Sequence, residues 1–141
     1  MSRRDAGRAF VIDAGVTLRL AADPFEIAHD IELYAPTYLR SETLSRLHEA
    51  AQRGELDPAT ARARLDWITQ WFVHQPVRLL GDAVLKGQAW KVADRLGWPS
   101  TYAAEYVAMA ILRRCPLVTL DEELARKVMG LIEVATLDDL R

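Results

Sequence analysis

Ala9-Phe10-Val11-Ile12-Asp13 is an apolar run that stops on a carboxylate, and Cys115-Pro116-Leu117-Val118-Thr119-Leu120-Asp121 repeats the design near the C-terminus. Continuous rather than alternating apolarity marks strands covered on both faces, as in a parallel sheet. The C-terminal edges of such strands line one crevice, so acids far apart in sequence can meet there. Asp13, Glu42 and Asp121 are the candidates. Clustered carboxylates repel one another unless a cation neutralises them, and hard divalent ions such as Mg²⁺ prefer carboxylate and water oxygens. The three acids therefore look like parts of one metal site.

The intervening sequence alternates helix and strand signals. Residues 14–22 predict a helix; Asp23-Pro24 supplies a break and a fresh N-cap, with a second short helix over 25–29. Leu33 to Pro36 reads as a brief strand, followed by a helix over about 37–53 whose apolar stripe is Leu39, Thr43, Leu44, Leu47 and Ala51, stopped by Gly54. Asp57-Pro58 opens the next helix, with Leu65, Ile68, Trp71 and Phe72 on one face. A strand at 77–80 and a helix at 82–96 follow, the latter ended by Gly97-Trp98-Pro99. Ser100 or Thr101 caps a helix running to about Arg113, and after Asp121 come a helix near 122–129 and a weak strand at 132–134. The pattern implies a three-layer α/β/α domain with a central, mainly parallel sheet.

The 141 residues, half of them hydrophobic, suit one domain with a substantial core, residues 1–8 forming a charged lead-in. A net charge of -2 argues against a general nucleic-acid coating protein and leaves room for a local basic rim. The single Cys115 forms no internal disulfide, no run is long enough for a membrane span, and the N-terminus lacks a signal-peptide core. A soluble, reducing, cytoplasmic setting is the expectation.

Four local patterns, in this order, give the chain a family likeness: Val11-Ile12-Asp13-Ala14, Ala35-Pro36 followed by helical Glu42, Tyr102-Ala103-Ala104-Glu105-Tyr106-Val107-Ala108, and Leu117-Val118-Thr119-Leu120-Asp121. Nearly the whole chain thereby resembles a PIN domain, especially the VapC-type toxins. The resemblance implies a metal-dependent endoribonuclease in which Mg²⁺ or Mn²⁺ activates water at an RNA phosphodiester. Asp13 would be the principal metal ligand, Glu42 a second ligand or water-orienting base, and Asp121 a ligand directly or through water, with Thr119 helping through its hydroxyl. It also implies an RNA substrate, a cognate antitoxin and a homodimer. The chief departure is Ala103, where the family has an aspartate. Glu105 lies two positions on, towards another side of the helix, and is a poor replacement. The alanine is an inactivating substitution, a natural degeneration, or a gap completed by another group such as Glu122. Gly15 is a smaller departure, where many relatives carry a hydroxyl.

Simpler readings stand beside these. Aspartates that precede helices serve as N-caps, and a helical glutamate such as Glu42 is ordinarily solvated or paired. Thr119 in an apolar strand is ordinarily a packing residue. His29, His48 and His74 lack metal-ligand spacing, and Cys115 is expected to be buried. Trp67 and Trp71 predict core packing or a partner surface on the helical hairpin. Arg40, Lys86, Arg113 and Arg114 are candidate phosphate contacts, and Arg3, Arg4 and Arg8 a mobile basic tail. The alternatives to a nuclease are a catalytically silent PIN domain that binds RNA or a protein, and a phosphoacceptor signalling domain. The latter is weakened because none of Lys86, Lys91 and Lys127 follows a late strand as a phosphate-sensing lysine would.

Overall fold

The computed structural model describes residues 8–141, and Arg3 and Arg4 lie outside it. Among the described residues, five strands form one all-parallel sheet: β1 (Arg8–Ile12), β2 (Ile31–Pro36), β3 (Val77–Leu80), β4 (Leu117–Val118) and β5 (Val134–Ala135). Their spatial order is β3-β2-β1-β4-β5. The chain builds outward from β1 through β2 to β3, then returns to lay β4 on the free side of β1. The strand order thus reverses between β1 and β4, and a crevice opens beyond their C-terminal ends. The pairings Val11 with Leu117 and Ile12 with Val118 bring the two strand ends level.

Burial explains the continuous apolar runs. Val11, Ile12, Leu117 and Val118 are fully buried, as are Leu33 and Ala35 of β2. Among the described residues, six α-helices connect the strands: α1 (Ala14–Ala22), α2 (Leu39–Gln52), α3 (Pro58–His74), α4 (Ala83–Leu96), α5 (Tyr102–Arg113) and α6 (Glu122–Lys127). With the sheet they make the three-layer α/β/α architecture. Helices α1, α2 and α3 pack on one another, while α4 packs along α5, which crosses β1 and β2. A buried hydroxyl pair, Thr17 of α1 and Thr43 of α2 at 2.7 Å, fixes these helices side by side next to Glu42. No helix among the described residues is long and apolar enough to cross a membrane.

Several expectations change in detail. Residues 25–29 are not helical, and Asp23 closes α1 instead of opening a new helix, its backbone N–H donating to the Arg19 carbonyl at 2.9 Å. A distant contact holds the segment: the Ala28 N–H donates to the Leu140 carbonyl at 2.9 Å, and the Arg141 guanidinium lies over the Phe25 ring. Arg8 belongs to β1 and makes a two-pronged ion pair with Asp30, at 3.0 and 3.2 Å, so it is no part of a free tail. The last strand lies at Val134–Ala135, sharing only Val134 with the expected 132–134, and α6 ends at Lys127 rather than near 129. Cys115 is half-buried, and burial pushes its thiol up to about 11. Trp67 and Trp71 stack at 5.9 Å, half-buried against the core.

Candidate functional site

Asp13 is the first residue after β1 and the N-cap of α1, its Oδ1 accepting from the Val16 N–H at 3.1 Å. Its other oxygen accepts from the Thr119 hydroxyl at 2.6 Å. Thr119 stands just beyond β4, and its Oγ1 also accepts from the Asp121 N–H at 3.2 Å. This hydroxyl therefore ties the two strand ends together, a role beyond packing. Asp121 caps α6, accepting from the Leu124 N–H at 3.0 Å. Burial raises the Asp13 pKa, with nearby Glu42 adding to the rise and the Thr119 and Val16 hydrogen bonds opposing it.

Glu42 approaches from the opposite wall. Its Oε1 accepts from the Tyr106 hydroxyl at 2.6 Å and its Oε2 from Arg46 Nη2 at 3.0 Å, one helical turn along α2. Burial, then the Glu42 hydrogen bond, pushes the Tyr106 phenol pKa up, so Tyr106 stays a neutral donor. Tyr38 packs edge-on against both Tyr102 and Tyr106, and its hydroxyl donates to the Tyr102 carbonyl.

Asp13, Glu42 and Asp121 line a single cavity of about 450 Å³. Ala103 lines it too and offers only a methyl group. Glu105 faces elsewhere: it is buried, one carboxylate oxygen has no hydrogen-bond partner, and its nearest cation is Lys86 Nζ at 3.8 Å. Glu122 is not on the cavity wall, whereas Glu123 is, paired with Lys127 at 3.3 Å. Among the described residues no three His, Cys, Asp or Glu side chains stand close enough together to hold one ion.

Among the described residues the cavity's cations are Arg46 and Lys127, not Arg40, Lys86, Arg113 or Arg114. Arg40 lies over the Phe72 ring and Arg113 over Tyr34, while Arg114 borders a separate hollow beside Cys115. Arg46 and Lys127 each stand four residues after a cavity glutamate, an (i, i+4) pattern visible in sequence. Tyr106 and Trp98 also line the cavity and have no such local mark. His48 and His74 are exposed, and exposed His29 pairs with Glu26 at 2.8 Å. A Cβ on Gly15 would sit 3.5 Å from Asp13 Oδ1, an ordinary contact, so the glycine is not required by space.

The sequence matches no family profile and no curated protein. Solved structures do match. The crystal structure of PAE2754 from Pyrobaculum aerophilum is 25% identical, with a TM-score of 0.65, over 94% of this chain and 92% of that one. A structure of VapBC-1 from nontypeable Haemophilus influenzae is 11% identical, with a TM-score of 0.63, over 92% and 98% of the two chains. A structure of VapBC2 from Rickettsia felis, bound to a DNA fragment from its promoter, is 8% identical, with a TM-score of 0.61, over 91% and 98%.

Proposed function

We propose that this chain, which carries the fold of VapC-type PIN domains, is a toxin-type endoribonuclease that hydrolyses RNA phosphodiesters with Mg²⁺ or Mn²⁺, at a rate held down by Ala103. One observation carries the reading: Asp13, Glu42 and Asp121 line one cavity at the switch point of the sheet. The donors fit a hard divalent cation. All are carboxylates, and Asp13 is desolvated enough for its pKa to rise, a penalty that a cation relieves. Mg²⁺ commonly keeps several waters and uses one or two carboxylates plus substrate phosphate, so a complete protein cage is not needed.

Asp13 is the principal ligand in this reading, and Asp121 contributes directly or through water. Tyr106 and Arg46 fix the Glu42 carboxylate from both sides, which suits it to orient a water or add a ligand oxygen. A bound ion would supply water activation and stabilisation of the anionic transition state. Ala103 removes an oxygen from the same wall, weakening affinity. The partners of this reading are an RNA substrate, a cognate antitoxin and a second copy of the chain, all within the cytoplasm.

A silent PIN domain that binds RNA or a protein is the second reading, favoured by Ala103 and by the lack of a three-acid group among the described residues. Mn²⁺-dependent cleavage of a structured-RNA pool, with chelator controls, separates the two when the chain and Ala103→Asp are compared. The nuclease reading expects slow cleavage by the chain and at least tenfold faster cleavage by Ala103→Asp; cleavage by neither overturns it.

A further inference from the structure

The cavity lining is partly aromatic: Trp98 packs in part against the core, whereas the exposed Tyr102 is not accounted for by it. Trp98 is half-buried and Tyr102 is 66% exposed, and both line the cavity. Each stands on constrained backbone. Gly97 ends α4 in the left-handed region, at φ 69°, donating to the Asp94 carbonyl at 3.3 Å, while the Trp98 N–H donates to the Ala93 carbonyl at 2.8 Å. This pair of hydrogen bonds is a Schellman closure, which fixes where the chain carrying Trp98 leaves the helix. Tyr102 opens α5, its carbonyl held by the Tyr38 hydroxyl and its ring met by Tyr38 at 5.3 Å and 82°.

Two cations share this lining. The Arg46 and Lys127 side chains are about half exposed, and each is paired with a glutamate. A polyanion approaching these carboxylates needs cations beside its path, whereas an aromatic face in the lining offers nothing to a phosphate. What it suits is the π face of a base. In a duplex those faces are covered by neighbouring bases; in a single strand they are free. A volume of about 450 Å³ also falls in the range of small-ligand pockets, roughly 300–1,000 Å³.

Resting on the nuclease reading, we propose that Trp98 and Tyr102 are the specificity-determining residues of the site, a stacking platform that admits an unpaired nucleotide and so restricts the substrate to single-stranded RNA. Arg46 and Lys127 take the flanking phosphates. Neither aromatic residue acts on the reacting bond, so both are separable from the carboxylates by a binding measurement.

The test is fluorescence anisotropy with a labelled RNA oligomer, single-stranded or annealed to its complement, with RNA integrity checked on a gel. The chain is expected to bind the single strand better than the duplex. Tyr102→Ala and Trp98→Ala should each weaken single-strand binding about tenfold, the scale of one lost base stack. Tyr102→Phe and Trp98→Phe, which keep an aromatic face, should retain most of it, with far-ultraviolet circular dichroism checking the fold. Duplex binding should be the same for all five proteins. Alanine variants that bind the single strand as the parent does, or lose single strand and duplex alike, overturn the platform and leave the nuclease reading standing. A parent that binds neither RNA overturns both.

Discussion

The two walls of the cavity are made in different ways. On the sheet side, Asp13 and Asp121 leave buried strands and cap the helices that follow, with the Thr119 hydroxyl joining them. On the helix side, Glu42 is held by side chains alone, Arg46 from its own helix and Tyr106 from α5, with Ala103 one turn before Tyr106. The first wall is fixed by the backbone of the core; the second is tuned by residues that can change without disturbing the sheet. An alanine at position 103 is therefore compatible with an intact fold.

The sharpest way to break the contrast is to damage the core beneath the sheet wall. Ile12 is fully buried, in register with Val118 and adjacent to Asp13. Ile12→Ala should cost about 2–5 kcal/mol in urea unfolding. A loss below 1 kcal/mol would mean that the strand ends do not depend on this packing.

Thr119→Val comes next. It leaves Asp13 Oδ2 without its hydroxyl donor and the Asp121 N–H without its acceptor, at an expected cost of about 1–3 kcal/mol. Asp13 also gives the wall a pH signature. Its folded pKa lies above its ordinary value, so its contribution to stability is fully present below the unfolded pKa, about 3.9, and is lost as pH rises through the folded pKa. Asp13→Asn removes this loss: its stability relative to the parent should grow from pH 4 to pH 7. Urea unfolding at the two pH values checks it, and a constant difference would remove desolvation of Asp13 from the account.

The smallest effect is expected on the helix wall. Arg46 is about half exposed and pairs with Glu42 one turn away. Arg46→Gln should change stability by no more than about 0.5 kcal/mol, as surface pairs do. A loss as large as that of Thr119→Val would erase the distinction between the walls.

The same division explains what the sequence discloses. Strands that end on acids are local patterns, so β1, β3 and the approach to Asp121 are legible, as is Asp57, which caps α3 through a hydrogen bond of 2.7 Å, whereas Asp82, expected inside the next helix, caps α4 at 2.9 Å. Residues 25–29 mislead because their conformation answers to Leu140 and Arg141 at the far end of the chain. Tyr106 reaches Glu42 from another helix, and Trp98 enters the cavity through a turn, contacts that no local spacing announces. Glu105 is the instructive case: its place on the helix turns it from the cavity, but its burial beside Lys86 appears only in three dimensions.

The central claim is a carboxylate site short of one donor at position 103, and Mn²⁺ binding followed by electron paramagnetic resonance tests it without requiring turnover. The chain should bind Mn²⁺ weakly, Ala103→Asp at least tenfold more tightly, and Ala103→Asp combined with Asp13→Asn should lose that gain. Binding by Ala103→Asp no tighter than by the parent, or a gain that survives Asp13→Asn, would contradict it.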